Sequence, residues 1–299
     1  MKPDSHSKKV LITGINGFTG IHLEKYLTKQ GFDVFGMVIG MPKQDNHLQC
    51  DISKKDQVNA AITTIKPDYL IHIAAISFVG ERNASLIYDV NVMGTENILQ
   101  ALVENNINPK KVILASSATV YGNQGKEVLD ETMCPQPVNH YGCSKLSMEH
   151  IASNYFTAFD IIITRPFNYT GVGQKGPFLI PKIVDHFRAE KKEIALGNVH
   201  VSREFNDISY VIDVYHKLLL SDAKSTIVNL SSNNPIKLLD VIDIMQKIAG
   251  YNIEIKVNPS FVRYNEIKSL AGSTDKLGKI IDLSAVYSLK NTLVDMYEN

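Results

Sequence analysis

Tyr141 and Lys145 stand four positions apart in Tyr141-Gly-Cys-Ser-Lys145. On a helix, positions i and i+4 share a face about one turn apart, so a phenol and an ammonium would meet there. A phenol's ordinary pKa is about 10. A neighbouring ammonium stabilises the phenolate and is expected to bring that value toward neutrality, which suits the pair to exchanging a proton with an oxygen atom. Upstream, Ser116-Ser117-Ala118-Thr119-Val120-Tyr121-Gly122 follows the apolar run 111–115 with hydroxyls but no carboxylate. Near the start, Gly14-Ile15-Asn16-Gly17-Phe18-Thr19-Gly20 forms a GxxGxxG pattern. Small backbone there lets a pyrophosphate approach a helix N-terminus, where free N–H groups and the dipole favour an anion. Each pattern alone is weak, since glycine loops can be plain turns, serines can be caps, and Tyr/Lys pairs occur on many exposed helices.

Their meaning comes from the elements that would position them. Apolar runs at 9–14, 33–39, 68–75, 111–117 and 160–168 read as strands, several of them continuous enough to be buried on both faces. Helical patterns at 17–31, 55–65, 83–104 and 141–159 alternate with them. Repeated strand–helix–strand units predict an α/β Rossmann fold, a doubly wound parallel sheet with helices on both faces. The glycine loop falls between the first strand and first helix, and the serines fall at the end of a strand. Beyond about residue 170 the alternation lapses into loops, short strands such as 225–231 and helices such as 238–249. We therefore divide the chain into a dinucleotide-binding domain over 1–169, to which some later segments return, and a smaller, interleaved α/β substrate lobe over 170–299.

The chain has 299 residues, with 31 basic and 31 acidic side chains in balance and no charge block, which argues against nucleic acid and membrane surfaces as partners. Cys50, Cys134 and Cys143 form no CxxC pair, so the count fits a reducing compartment and points to no metal. A polar N-terminus running straight into a strand leaves no room for a signal peptide, and no stretch reaches the length needed to span a bilayer. A cytoplasmic enzyme is expected.

With these pieces in order, the chain resembles the short-chain dehydrogenase/reductase superfamily, in its extended branch acting on nucleotide sugars. The resemblance implies that Gly14, Asn16, Gly17, Phe18, Thr19 and Gly20 hold the cofactor pyrophosphate. Asp51 and Ile52 then lie near the adenine, Ala74 and Ala75 of His72-Ile-Ala-Ala75 flank the cofactor, and Asn91 is the family's central asparagine. It further implies that Tyr141 is the proton-transfer group, that Lys145 also bonds the nicotinamide ribose, and that Ser117 holds the substrate's C4 oxygen while Ser116 is structural. NAD and NADP stay equally open, because 36–40 (Gly-Met-Val-Ile-Gly) offers neither an acidic nor a basic residue and only Lys43 stands nearby.

The similar 4,6-dehydratases carry acid/base groups where this chain has Ala118 and Thr119. A methyl cannot move a proton and a threonine hydroxyl is a poor base, so dehydration is disfavoured and hydride chemistry at C4 remains. The run 116–122 resembles UDP-galactose 4-epimerase. The later half, Arg165-Pro-Phe-Asn168 through Gln174, 196–211 and Val262-Arg263-Tyr264-Asn265-Glu266, is similar to the GDP-6-deoxy-D-lyxo-4-hexulose reductases of GDP-D-rhamnose synthesis. Departures at Val172, at Tyr264 and at 281–284 leave dTDP- and UDP-linked 4-keto-6-deoxysugars as further candidates. By this resemblance Arg203 and Arg263 neutralise the diphosphate, Asn168 donates to it or to the sugar, and Glu266 accepts from the nucleoside ribose, while Phe78, Val79 and Phe178 stand equally open to walling the sugar pocket or to joining the core. A homodimer packed through 83–104 and 141–159, and a setting in deoxysugar or O-antigen biosynthesis, are implied in the same way. A 4-epimerase is the alternative, and a non-catalytic dinucleotide sensor is the reading outside enzymology.

Overall fold

Strands apolar on both faces are stable only between two helical layers, and side chains alternate from one layer to the other. In β1 (Lys9–Thr13), Val10 and Ile12 enter one core while Leu11 enters the other. The computed structural model describes residues 8–77, 83–175, 178–262, 268–283 and 287–299. After β1 come α1 (Phe18–Lys29), β2 (Asp33–Val38), β3 (His47–Gln49), α2 (Lys55–Ile65) and β4 (Tyr69–His72). Then follow α3 (Ala84–Tyr88), α4 (Gly94–Glu104), β5 (Lys111–Ala115), β6 (Val128–Leu129), α5 (His140–Ser153) and β7 (Ile161–Pro166). The second half holds β8 (Tyr169–Thr170), α6 (Leu179–Arg188), β9 (Glu193–Leu196), β10 (Ser202–Arg203), β11 (Asn206–Asp207), α7 (Ile208–Leu220) and β12 (Thr226–Leu230). It ends with β13 (Ile236–Lys237), α8 (Leu238–Ala249), β14 (Glu254–Val257), β15 (Ser269–Gly272), α9 (Asp275–Ile280) and α10 (Leu289–Glu298).

Seven strands form one parallel sheet in the order β12-β7-β5-β4-β1-β2-β3. Residues of α1 and α7 cover one face, and residues of α2, α4 and α5 cover the other. The chain leaves β1 toward β2 on one side and returns to β4 on the other. This reversal opens a crevice at the carboxyl ends of β1 and β4, the place where open α/β sheets bind ligands. A separate apolar core, with Ile183, Phe187, Leu196, Val241 and Met245 fully or nearly buried, unites α6, α8 and α10. Among the described residues no helix is long and apolar enough to cross a membrane.

Several local expectations are adjusted by the structure. The helix expected over 83–104 is α3 and α4 joined by a π-helical turn, Asp89–Met93. The helix expected over 141–159 ends at Ser153, and the following turns are fastened by the Ser225 hydroxyl donating to the carbonyls of Phe156 and Phe159. The run 225–231, read among the short segments of the second half, pairs as β12 with β7 at the edge of the central sheet. The three-residue β3 was not foreseen, because so short a polar strand carries no periodic signal.

Candidate active site

Gly14 ends β1 in a left-handed conformation, φ +71°, and a Cβ there would stand 2.9 Å from the Ala74 Cα. Only glycine lets the first loop pass this close to the loop after β4. Gly17 is the residue before α1 and gives it no side-chain cap, and the first turn holds no acidic group. The helix therefore presents uncapped N–H groups and its positive end to the crevice, an arrangement that fits a dinucleotide's pyrophosphate. Asn16 and Gly17 are exposed at this edge, whereas Thr19 and Gly20 are buried. Thr19 shares a 2.9 Å hydrogen bond with the Tyr169 hydroxyl, and the Phe18 ring lies nearly parallel to Tyr169. His22 donates Nε2–H to the Val172 carbonyl at 3.0 Å, so the segment 169–172 is tied directly to the glycine loop. Asp51 accepts from the Ser53 amide and hydroxyl, which turns the chain beside buried Ile52.

Beside this loop, α5 presents Tyr141 and Lys145 from its first two turns. Asn139 caps it by accepting from the Gly142 amide at 2.9 Å. The Tyr141 phenol meets the Ser117 hydroxyl. Lys145, 2% exposed, donates to the Ala115 carbonyl at 2.6 Å. Burial pushes Tyr141 up to about 12, the Ser117 hydrogen bond pulling it back and nearby Tyr169 adding to the rise. The sequence-based expectation of a phenol brought toward neutrality is thus corrected. Desolvation dominates, and the ammonium is turned onto a backbone carbonyl. Lys145 itself is pulled down to about 8 by burial, opposed by the charge of Glu149. At neutral pH the pair is a protonated phenol and an ammonium, the state of a proton donor.

Two buried networks brace these groups. Glu149, one turn beyond Lys145 on α5, is gripped by the Arg165 guanidinium through Nε at 2.9 Å and Nη2 at 2.6 Å, and also accepts from the Ser116 hydroxyl. Arg165 lies over the Tyr121 ring at 4.7 Å, and Tyr121 donates to Asn229. Ser116 is therefore structural, as expected. In the second network His72 is 1% exposed and held neutral, its pKa pushed down to about 3 by burial and by Lys145. Thr95 donates to the Asn91 carbonyl, so its oxygen accepts from His72 Nε2 at 2.9 Å. Thr13 Oγ1 accepts from the Ala74 amide and so donates to His72 Nδ1 at 2.6 Å. Asn91 bonds both backbone groups of Ile76 and the Ser144 hydroxyl, and the π-helical turn carries it to this position. Asn91 therefore links the loop after β4, with Ala74 and Ala75, to α5.

The structure brings together the glycine loop, Ala74, Asn91, Ser117, Tyr141 and Lys145. The substrate-side residues are less gathered. Asn168 is exposed beside β8, Arg203 is half-buried with Nη1 donating to the Ser202 carbonyl at 2.7 Å, and Phe178 stands exposed before α6. Arg263, Glu266, Phe78 and Val79 lie outside the described residues. Glu149 was missed from the sequence, although its spacing, two four-residue steps from Tyr141 and one from Lys145 along the same helix face, was there to be read. Tyr169 offered no such signal. Among the described residues no group of three or more His, Cys, Asp or Glu could hold a metal ion.

Residues 11–296 match the family described as GDP-mannose 4,6 dehydratase. The chain is similar to GDP-6-deoxy-D-talose 4-dehydrogenase of Aggregatibacter actinomycetemcomitans, 33% identical over 97% of both chains. It is similar also to GDP-6-deoxy-D-mannose reductase of Pseudomonas aeruginosa, 27% identical over 96% of this chain and 95% of the other. Among solved structures it resembles a Burkholderia cenocepacia J2315 protein provisionally called an epimerase, at 39% identity and TM-score 0.92, covering 98% of this chain and 97% of that one. RMD from Pseudomonas aeruginosa, complexed with NADPH, follows at 25% identity and TM-score 0.87 over 98% of each. Family match, sequence identity and fold agree, and the chain belongs to the GDP-mannose 4,6 dehydratase family.

Proposed function

We propose that this protein is an NAD(P)-dependent 4-ketoreductase of a nucleotide-linked 4-keto-6-deoxyhexose, with the GDP-linked sugar favoured. One observation carries the reading. The Ser117 hydroxyl meets Tyr141, and Lys145, one turn along the same helix, bonds the Ala115 carbonyl at the carboxyl end of β5, while Ala118 and Thr119 stand where a dehydratase needs acid/base groups. When bound, the reduced nicotinamide supplies a hydride to C4. The carbonyl π electrons pass to oxygen, and Tyr141 gives that oxygen its proton, the phenolate being reprotonated from solvent. Ser117 donates a hydrogen bond to the same oxygen, where negative charge grows in the transition state. Lys145 holds the ribose and offsets the charge left on Tyr141. Gly14, Asn16, Gly17, Phe18, Thr19 and Gly20 hold the pyrophosphate, Asp51 and Ile52 flank the adenine, and Ala74, Ala75 and Asn91 shape the cofactor's bed. Asn168, Arg203, Arg263 and Glu266 take the nucleotide sugar's diphosphate and ribose.

The relatives' names support a GDP-linked sugar, and the NADPH-bound relative supports the cofactor, with NAD equally open. Apolar Leu86 and Met93 are 40% and 48% exposed on α3 and the π-helical turn, whereas Val90 packs against the chain's own core. Together with the family resemblance the two exposed side chains support a homodimer. Ile87, Ile98 and Leu102, in contrast, are buried within the chain itself. We place the enzyme in the cytoplasm, where its cofactor and nucleotide sugars are made.

The decisive experiment mixes the protein with NADPH or NADH and a GDP-linked 4-keto-6-deoxysugar. Stoichiometric cofactor oxidation with a C4 alcohol product, its configuration read by NMR, is expected. The run 116–122 favours one other reading, a 4-epimerase. Interconversion of C4 epimers with no net cofactor change would establish it in place of the reductase. Cofactor binding with no turnover of either kind would mark a sensor.

A further inference from the structure

Ser117 does two jobs in the structure. It is the residue before a short 3₁₀ turn, Ala118–Tyr121, and its hydroxyl meets Tyr141. The first job is done through Thr119 alone. Ser117 Oγ accepts from the Thr119 amide at 3.2 Å and from the Thr119 hydroxyl at 3.0 Å. A serine hydroxyl has one proton to donate and two lone pairs with which to accept. Both lone pairs are filled by one residue.

Resting on the ketoreductase reading, we propose that Thr119 is a positioning residue that sets the direction of hydrogen bonding at the reacting carbonyl, by filling both acceptor sites of Ser117 so that Ser117 can only donate. The consequence reaches Tyr141. A serine with an open lone pair would accept the phenol's proton as a hydrogen bond and turn it away from the ketone. With both lone pairs filled, the Tyr141 proton is left for the ketone oxygen. The Ser117 proton, given to the phenol oxygen in this structure, turns to the same place once a ketone is bound. The carbonyl then receives two donors, as the developing alkoxide requires.

The backbone fixes this arrangement against α5. A Cβ on Gly142 would stand 2.9 Å from the Thr119 carbonyl oxygen, so glycine after Tyr141 allows the 3₁₀ turn to press directly on the first turn of the catalytic helix. The Gln136 amide bonds the Val120 carbonyl at 3.0 Å from the other side. Ala118 and Val120, both buried, anchor the turn in a small apolar cluster with Tyr121, Leu129 and Phe167. Thr119 is thus held by its backbone while its hydroxyl, half-buried at the cleft, is spent on Ser117.

The test is T119V, which keeps the side chain's shape and the backbone N–H but deletes the donated O–H. With NADPH and the GDP-linked 4-keto-6-deoxysugar, kcat should fall roughly 3- to 10-fold, the share of one neutral hydrogen bond. KM for the sugar should stay within about twofold, because the interaction matters as charge develops. T119S should restore the rate. In an S117A background T119V should change kcat by less than about twofold, since Thr119 acts only through Ser117. A T119V enzyme as fast as the wild type overturns the proposal, and so does a loss equally large in the S117A background, which would mark a merely structural role. Should T119V fail to fold by circular dichroism, T119A is judged by the same criteria. A wild-type protein that turns over no 4-keto nucleotide sugar overturns the functional reading and the proposal together.

Discussion

Lys145 should write its own pKa into the pH dependence of the enzyme. It is 2% exposed, and burial holds its ammonium at about 8 despite the opposing pull of Glu149. In the proposed mechanism only the charged form holds the ribose and offsets the phenolate. One pH unit above its pKa about one lysine in eleven is still charged, and two units above about one in a hundred. Because kcat/KM reports the free enzyme, its profile should be level near neutrality, bend at about pH 8 and fall roughly tenfold per unit toward pH 10. Tyr141, held at about 12, stays protonated across this window and adds no second bend. The assay is initial-rate cofactor oxidation at constant ionic strength. K145R keeps a charge at every pH in the range, so its alkaline limb should vanish even though the wider guanidinium lowers the plateau. The same shift has a stability consequence. The folded pKa lies below the unfolded one, so the unfolded chain binds more protons between about pH 8 and 10.4, and the destabilisation from burying Lys145 fades as pH rises through that window. A wild-type limb bending near 10, or an unchanged limb in K145R, would refute the assignment.

Y141F should lower kcat by about 10²–10⁴-fold while fluorescence still reports cofactor binding, since the phenol oxygen's proton is the missing element. G14A places a side chain on a left-handed backbone and against Ala74. It should lose about 2–4 kcal/mol in urea unfolding, adding the αL penalty to a steric one, and bind cofactor poorly in calorimetry. E149Q strands the Arg165 charge in a site where both partners are buried. Urea denaturation should show a loss of about 3–5 kcal/mol, whereas the volume-matched apolar pair E149M/R165M should recover much of it.

The fold was legible because its signals are local. Val10, Leu11 and Ile12 announce a strand covered on both faces without reference to any partner, and the four-residue spacing of Tyr141 and Lys145 announces a shared helix face. GxxGxxG between a strand and a helix has few other uses. These features were readable because each is enforced within one or two turns of chain. By itself the sequence determined the parallel sheet, the glycine loop between its first strand and helix, and the placing of Tyr141 and Lys145 on one helix.

Pairings between distant residues, and what burial does to charge, were left to tertiary structure. That 226–230 closes the sheet beside β7 depends on an edge that only the assembled layers create. Tyr169 reaches Thr19 across 150 positions, and Ser116, Glu149 and Arg165 join from three separate elements. The Tyr141 pKa was expected to fall and instead stands at about 12. Proximity on a helix can be counted along a sequence, but desolvation is the summed exclusion of water by every segment packed around the phenol, and no local spacing encodes it. The hydrogen-bond direction at Ser117 was decided in the same way, by how Thr119 is pressed onto α5.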